Sequence, residues 1–308
     1  MCTEDKKVEK FKTIVETAEK YIVKHALKII NAVREKESNT CPELIKYKYK
    51  PKYKIEELEQ KTTEEFNNII LEHFCIELQN QSGRTNAIKY NGQERKKAIY
   101  TIIKEFDVSQ SNWCNLYEEF SNPKGNYKNY IIGSEKNKID KIKFCNSCDE
   151  IQKCNKSKFN YGWKEYSKGL FNAKKFIMQI KKDSFIEELK EINKIDDYKN
   201  LDKKLKKIRN CYGIGTELSY DFYKELCCEN LIKPDVHIKT LYNEFLSNKD
   251  KNIPPDIVAK DIISLCNVAK YEPYYIDKIL WLCCTGNFYE ENITINSMNR
   301  EDFILSCK

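Results

Sequence analysis

Two short stretches of this chain carry residue types and spacings able to do chemistry. The first is Lys207-Ile208-Arg209-Asn210-Cys211-Tyr212-Gly213-Ile214-Gly215-Thr216-Glu217-Leu218-Ser219 and the second is Lys233-Pro234-Asp235-Val236-His237-Ile238-Lys239. In the first, two glycines two apart let the backbone turn sharply and approach another surface with no Cβ in the way. Amide N–H groups at the start of a following helix then face outward, where they can receive a phosphate. Lys203, Lys204, Lys206, Lys207 and Arg209 add long-range attraction for the same anion. A helical turn without a ligand explains a bare Gly-x-Gly equally well, so the glycines alone assign no site. In the second stretch, proline disfavours helix just before Asp235, which puts the carboxylate at or beside a helix N-terminus. There it either caps the helix, worth about 1 kcal/mol, or offers a fixed negative charge to a reacting group.

Taken together, the two stretches resemble the helix-hairpin-helix DNA glycosylase superfamily, whose members read Leu-Pro-Gly-Val-Gly-x-Lys-Thr-Ala and then Val-Asp-x-His-Val. The resemblance covers about residues 165 to 290. It implies an all-α fold of two helical lobes flanking a cleft, with the hairpin and the aspartate at its mouth. Asp235 would be the catalytic carboxylate, and His237 would order the segment around it. A DNA phosphate would be held at Gly213, Ile214, Gly215 and Thr216, with Lys207 beside it. The resemblance requires no cofactor, although such hairpins often hold a monovalent cation, here on the carbonyls of Arg209, Cys211 and Ile214.

Breaking an N-glycosidic bond builds positive charge on the sugar, so a nearby carboxylate stabilises that state and orients or deprotonates the attacking water. Two departures from the family pattern matter. Tyr212 replaces the usual proline, and Glu217 stands where bifunctional members carry a Schiff-base lysine. A lysine attacks the sugar C1′ and leads on to strand scission, whereas a glutamate forms no imine, so a monofunctional enzyme is expected. Glu217 could instead share acid and base work with Asp235, although a surface glutamate favoured by the helix dipole is the simpler account. The excised base must leave the stack for a pocket with aromatic walls. Trp163, Trp281, Phe288 and Tyr289 are candidates, with ordinary core packing as the alternative. Which base is excised is not encoded in any recognisable pattern. A non-catalytic helix-hairpin-helix module that binds DNA and engages another protein through its N-terminal half is the second reading, and a cysteine–metal structural protein the third.

The 308 residues are 41% hydrophobic and 33% charged, enough for a sizeable core in one large or two modest domains. A net charge of +7 agrees with an anionic partner such as DNA. No apolar run is long enough to span a bilayer, and Met1-Cys2-Thr3-Glu4-Asp5-Lys6-Lys7 lacks a signal core, so an intracellular protein is expected, in cytoplasm or nucleoid for a prokaryote and in the nucleus for a eukaryote; a monomer is the expected state. The 14 cysteines then read as reduced thiols, many of them small core residues. Cys145, Cys148 and Cys154 differ, because they lie in a polar, lysine-rich stretch. They are candidate zinc ligands with Cys114 or a distant cysteine as the fourth, loose thiols being the alternative.

The elements that must position these residues read as helices. Val8, Phe11, Val15, Ala18, Ile22, Ala26, Ile29 and Val33 predict a long amphipathic first helix. A second begins near Thr62, with Glu65 completing a capping box and Phe66, Ile69, Ile70, His73 and Phe74 turned inward. His25 and His73 read as packing residues. Further helices are expected over about 94–106, 171–180, 184–192, the hairpin pair, 237–246, 256–268 and 274–284, with a loop over 80–94. Residues 1–140 are expected as an N-terminal helical region able to pack with the C-terminal helices, 141–160 as a cysteine-bearing linker or small metal site, and 161–308 as the glycosylase-like region.

Overall fold

The computed structural model describes residues 4–34, 50–80, 93–121, 161–194, 200–247, 252–288 and 293–308. The described chain is all-α apart from one two-residue antiparallel pair. Its helices are α1 (Glu4–Arg34), α2 (Ile55–Glu59), α3 (Thr63–Glu77), α4 (Gln93–Glu105), α5 (Trp113–Ser121), α6 (Tyr161–Gln179), α7 (Lys182–Asn193), α8 (Leu201–Arg209), α9 (Thr216–Leu226) and α10 (Val236–Leu241). A π-helical turn (Tyr242–Leu246) continues α10, and α11 (Pro255–Ala269), α12 (Pro273–Thr285) and α13 (Arg300–Ser306) follow. Strands β1 (Asn287–Phe288) and β2 (Ile293–Thr294) pair with Asn287 opposite Thr294. Among the described residues no helix is long and apolar enough to cross a membrane.

The chain divides into two compact units whose segments alternate along the sequence. The first comprises Met1–Ile55, Glu187–Leu205 and Ser219–Lys308; the second comprises Glu56–Ile186 and Lys206–Leu218. Residues 161–308 are shared between the two units. The reason is α6, whose Trp163, Tyr166, Leu170 and Phe171 are buried and pack on α3, α4 and α5. The expected divisions at 140 and 160 lie outside the described residues, as does most of the 80–94 loop.

In the first unit, α1 lies on α11, α12 and α13. It buries Val8, Phe11, Ile14, Val15, Ala18 and Tyr21, as its three-and-four spacing requires. His25 is buried too, with Nδ1 2.8 Å from the Tyr21 carbonyl and its ring against Tyr21, a packing role. Proline opens α11 and α12, where a missing N–H costs no hydrogen bond. Gly286 ends α12 in the left-handed region at φ 64°, and a Cβ there would stand 2.3 Å from the Ile295 carbonyl oxygen.

In the second unit, α3 starts with the expected capping box. Thr62 Oγ1 accepts from the Glu65 amide at 3.2 Å, and the Thr62 amide donates to Glu65 Oε2 at 2.8 Å. His73 is buried on its inner face. Helix α5 is absent from the sequence-based expectation, although its signal is present. Asn112 Oδ1 accepts from the Cys114 amide at 2.8 Å, and Leu116, Tyr117 and Phe120 are fully buried behind that cap. Helix α6 begins ten residues before its expected start at Phe171, because Gly162, Lys164, Glu165, Ser167, Lys168 and Gly169 disguise an apolar face. Lys174 closes the end of α4, donating to the carbonyls of Ile103, Lys104 and Phe106 at 2.8, 2.6 and 2.5 Å.

Candidate functional site

The hairpin forms as a helix, a tight turn and a second helix. Leu201, Leu205 and Ile208 bury one face of α8. The helix closes through the Asn210 amide on the Lys206 carbonyl and the Cys211 amide on the Ile208 carbonyl, both 2.9 Å. The Ile214 amide then donates to the Cys211 carbonyl at 3.0 Å, which shapes the turn and leaves that oxygen one lone pair for a cation. Gly213 sits at φ 88°, a conformation costly to any residue with a Cβ.

Gly215 differs from Gly213. Its φ is not positive, and a Cβ built on it meets nothing within 4 Å. Neither backbone conformation nor internal crowding requires glycine there, so the space outside the turn is open to a ligand. Lys203 and Lys206 are exposed on α8, and Lys207 lies 5.5 Å from the Phe185 ring centre. Lys204 is engaged with Glu191 at 3.2 Å, so the cations of α8 are not equally available to an anion. Thr216 and Glu217 are half-buried in the first turn of α9.

Tyr212 holds the turn by contact. Its hydroxyl donates to Glu165 Oε2, and the Lys168 ammonium lies 5.5 Å from its ring centre and 4.8 Å from that of Trp113. Glu165 and Lys168 pair at 3.5 Å with both side chains 9% exposed, so this anchor is largely withdrawn from water. The close approach is set by Gly169 on α6, where a Cβ would lie 3.3 Å from the Tyr212 carbonyl oxygen and 2.8 Å from Leu78. Sequence reasoning passed over Glu165, Lys168 and Gly169, because nothing local relates them to a turn more than forty residues away.

In the first unit, Asp235 is the N-cap of α10. Its backbone is extended (φ −75°, ψ −177°), and Oδ1 accepts from the His237 amide at 2.8 Å and the Ile238 amide at 3.0 Å. Among the described residues no hydrogen bond reaches Oδ2, and the residue is half-buried. One oxygen therefore fixes the carboxylate while the other stays available. The contact of His237 with Asp235 is made by its backbone N–H. Ring Nδ1 is buried without a hydrogen-bond partner among the described residues. Burial lowers the His237 pKa below its ordinary 6.5, with Asp235 opposing and Arg300 reinforcing that shift, so the imidazole is neutral at pH 7. Cys284 lies behind this group, its thiol pushed up to about 12 by burial and by Asp235.

Of the aromatic residues considered for a pocket, Trp163 is fully buried, its ring centre 5.5 Å from Phe120 and 5.9 Å from Tyr166. It packs in the core of the second unit, the alternative weighed for it above, where a ring enclosed by neighbours offers no face to a ligand. Trp281 is half-buried on α12, Phe288 lies in β1, and Tyr289 falls outside the described residues. Cys145, Cys148 and Cys154 also fall outside them. Cys114, the offered fourth zinc ligand, is buried on α5, with its thiol pushed up to about 11 by burial against the pull of Lys168 and Lys164. Among the described residues no group of three or more His, Cys, Asp or Glu is arranged to hold a metal ion.

A buried cluster of charge that joins α9, α12 and the segment before Asp235 was not anticipated. Lys224, only 2% exposed in its side chain, meets Asp277 Oδ2, Asp221 Oδ1 at 3.1 Å and Glu225 Oε1 at 3.1 Å. Lys233 pairs with Asp221, and Lys278 pairs with Glu225 at 2.6 Å. Three carboxylates thus face three ammonium groups. Burial opposes the charge on Asp221, yet Lys233 and Lys224 outweigh it and hold that carboxyl well below the usual range. For Asp277 burial prevails over Lys224 and Lys278 and raises the pKa. Comparison of the chain with protein-family models, curated proteins and solved structures returned no match, so the site stands on its own geometry.

Proposed function

We propose that the chain is a DNA base-excision glycosylase of the helix-hairpin-helix kind, hydrolysing the N-glycosidic bond of a damaged or modified base. In this reading the turn at Gly213, Ile214 and Gly215 receives a backbone phosphate, with Lys203 and Lys206 adding attraction. Asp235 acts on the sugar. As the bond from C1′ to the base nitrogen breaks, the electron pair leaves with the base, which takes up a proton from solvent, and positive charge grows on C1′ and the ring oxygen. A carboxylate already fixed in place stabilises that charge without reorganising, and water adds to C1′ as its proton passes to Asp235 or to solvent. Glu217 forms no imine, so the product is an intact strand with an abasic site.

The observation that carries the proposal is the division of roles on Asp235: Oδ1 takes both amide hydrogen bonds and Oδ2 takes none among the described residues. A cap alone uses one oxygen, and either Asp or Asn serves it equally well. The test is an excision assay on duplexes carrying an oxidised purine, an alkylated purine, a deaminated base or a phage-type modified base, with the parent and Asp235→Asn. Asn preserves the cap, so the variant should fold and bind DNA as the parent does while base release falls by about 10²–10³. Breaks in the strand should need alkali or heat, and borohydride should trap no adduct. Excision by Asp235→Asn at the parental rate overturns the role of the carboxylate. Salt-sensitive DNA binding by the parent with no base released from any duplex favours the non-catalytic module instead.

A further inference from the structure

We infer that Asp277, held in a buried charge cluster, is a positioning residue for Asp235, setting the path of the segment that carries it through its hydrogen bond to the Lys233 amide; this rests on the glycosylase reading above. The chain from Cys227 to Asp235 has no helix of its own and is held from the side by α12. The Lys233 amide donates to Asp277 Oδ1 at 2.8 Å, and the Tyr274 amide donates to the Glu229 carbonyl at 2.9 Å. The Asp235 amide in turn donates to the Lys233 carbonyl at 2.8 Å. Asp277 therefore grips the backbone two residues before Asp235.

Asp277 is itself fixed. Its second oxygen meets Lys224, which also binds Asp221 and Glu225, and Asp221 binds the Lys233 side chain. Lys233 is thus held at both its amide and its ammonium. Leu231 and Ile232 are fully buried and Pro234 is buried, which closes the remaining freedom of the segment.

Stability alone does not call for this arrangement, because apolar side chains of similar volume commonly serve as well as buried ions. Apolar contact, however, is not directional, whereas a hydrogen bond fixes an amide to within a few tenths of an ångström. A displacement near 1 Å at the reacting group is enough to cost roughly 10²-fold in rate.

The test separates charge balance from the hydrogen bond by comparing two double variants. Lys224→Met with Asp277→Asn keeps the cluster neutral and retains an oxygen facing the Lys233 amide. Lys224→Met with Asp277→Leu is equally neutral but removes that oxygen; Lys224→Met with Asp277→Ala makes the same comparison should the Leu variant fail to fold. Single-turnover excision, DNA affinity and amide hydrogen exchange are measured on the full chain. The Asn pair should excise within about threefold of the parent, and the Leu or Ala pair roughly tenfold to a hundredfold slower. DNA affinity should match in all of them, and exchange at Lys233 and Asp235 should quicken only where the oxygen is lost. Parental rates in the Leu or Ala pair overturn the inference while the glycosylase reading stands. If the parent excises no base, that reading fails, and unchanged exchange at Lys233 overturns the anchoring on its own.

Discussion

Gly215→Ala separates what the fold needs at the hairpin from what a ligand needs. The added Cβ meets no atom within 4 Å, and the backbone is outside the left-handed region, so the folded state accepts it without strain. Alanine also has fewer unfolded conformations than glycine, which stabilises the variant by about 0.4–1 kcal/mol. In a chain of this size each kcal/mol moves the Tm by roughly 2–4 °C, so the midpoint should stay level or rise by a degree or more. If the turn presses its amides onto a DNA phosphate, however, the new methyl group occupies the approach. Losing one charge-assisted hydrogen bond costs about 1.5–3 kcal/mol, or roughly tenfold to a hundredfold in Kd. The assay pairs a thermal scan with fluorescence anisotropy of a labelled duplex at fixed salt. An unchanged Kd in a variant whose Tm holds or rises would refute the phosphate-binding role of the turn. Gly213→Ala is the contrasting control: at φ 88° it should lose about 1–2 kcal/mol of stability whatever the ligand does.

Two further outcomes follow from the first unit. Gly286→Ala should lose at least about 2 kcal/mol, because the residue sits at φ 64° and its Cβ would stand 2.3 Å from a backbone oxygen that cannot swing aside. Equilibrium unfolding of the two proteins checks it, and a loss under about 0.5 kcal/mol would contradict the geometry. The second outcome is a pH dependence. The Asp221 carboxyl is depressed on folding, so it contributes stability that is fully present above its ordinary pKa of 3.8 and lost as pH falls through the folded value. The stability gap between the parent and Asp221→Asn should therefore be constant near neutrality and narrow below pH 3.8. Tm measured from pH 3 to 7 in both proteins tests this. A gap that widens on acidification would reverse the assigned sign.

The local part of the candidate site was legible in the sequence because its signals are short-range. Pro234 before Asp235 announced an N-cap, and Asp235 accepts from the amides two and three residues on. Gly213 announced a turn, and it has the positive φ that only glycine takes freely. Thr62 and Glu65 announced a capping box three residues wide. The same kind of signal marks α5 and α13, where Asn112 and Asn299 cap helices of nine and seven residues, too short to show a repeated apolar pattern.

What tertiary structure decided was the environment of each side chain. Lys224, Lys233, Asp221 and Asp277 are unremarkable charges in the sequence, spread over more than fifty positions, and only folding withdraws them from water together. Trp163 has the chemistry to wall a pocket, but its neighbours Phe120 and Tyr166 make it core. Tyr212 looks like a loss against proline until Glu165, Lys168 and Gly169 are brought to it from α6. Periodicity and capping depend on neighbours within a turn of helix, so the sequence by itself determined the helices, the hairpin and the capping carboxylate. Burial and charge pairing depend on segments far apart in the chain, so the fold alone decided which of those groups are held, which are enclosed and which remain open to a ligand.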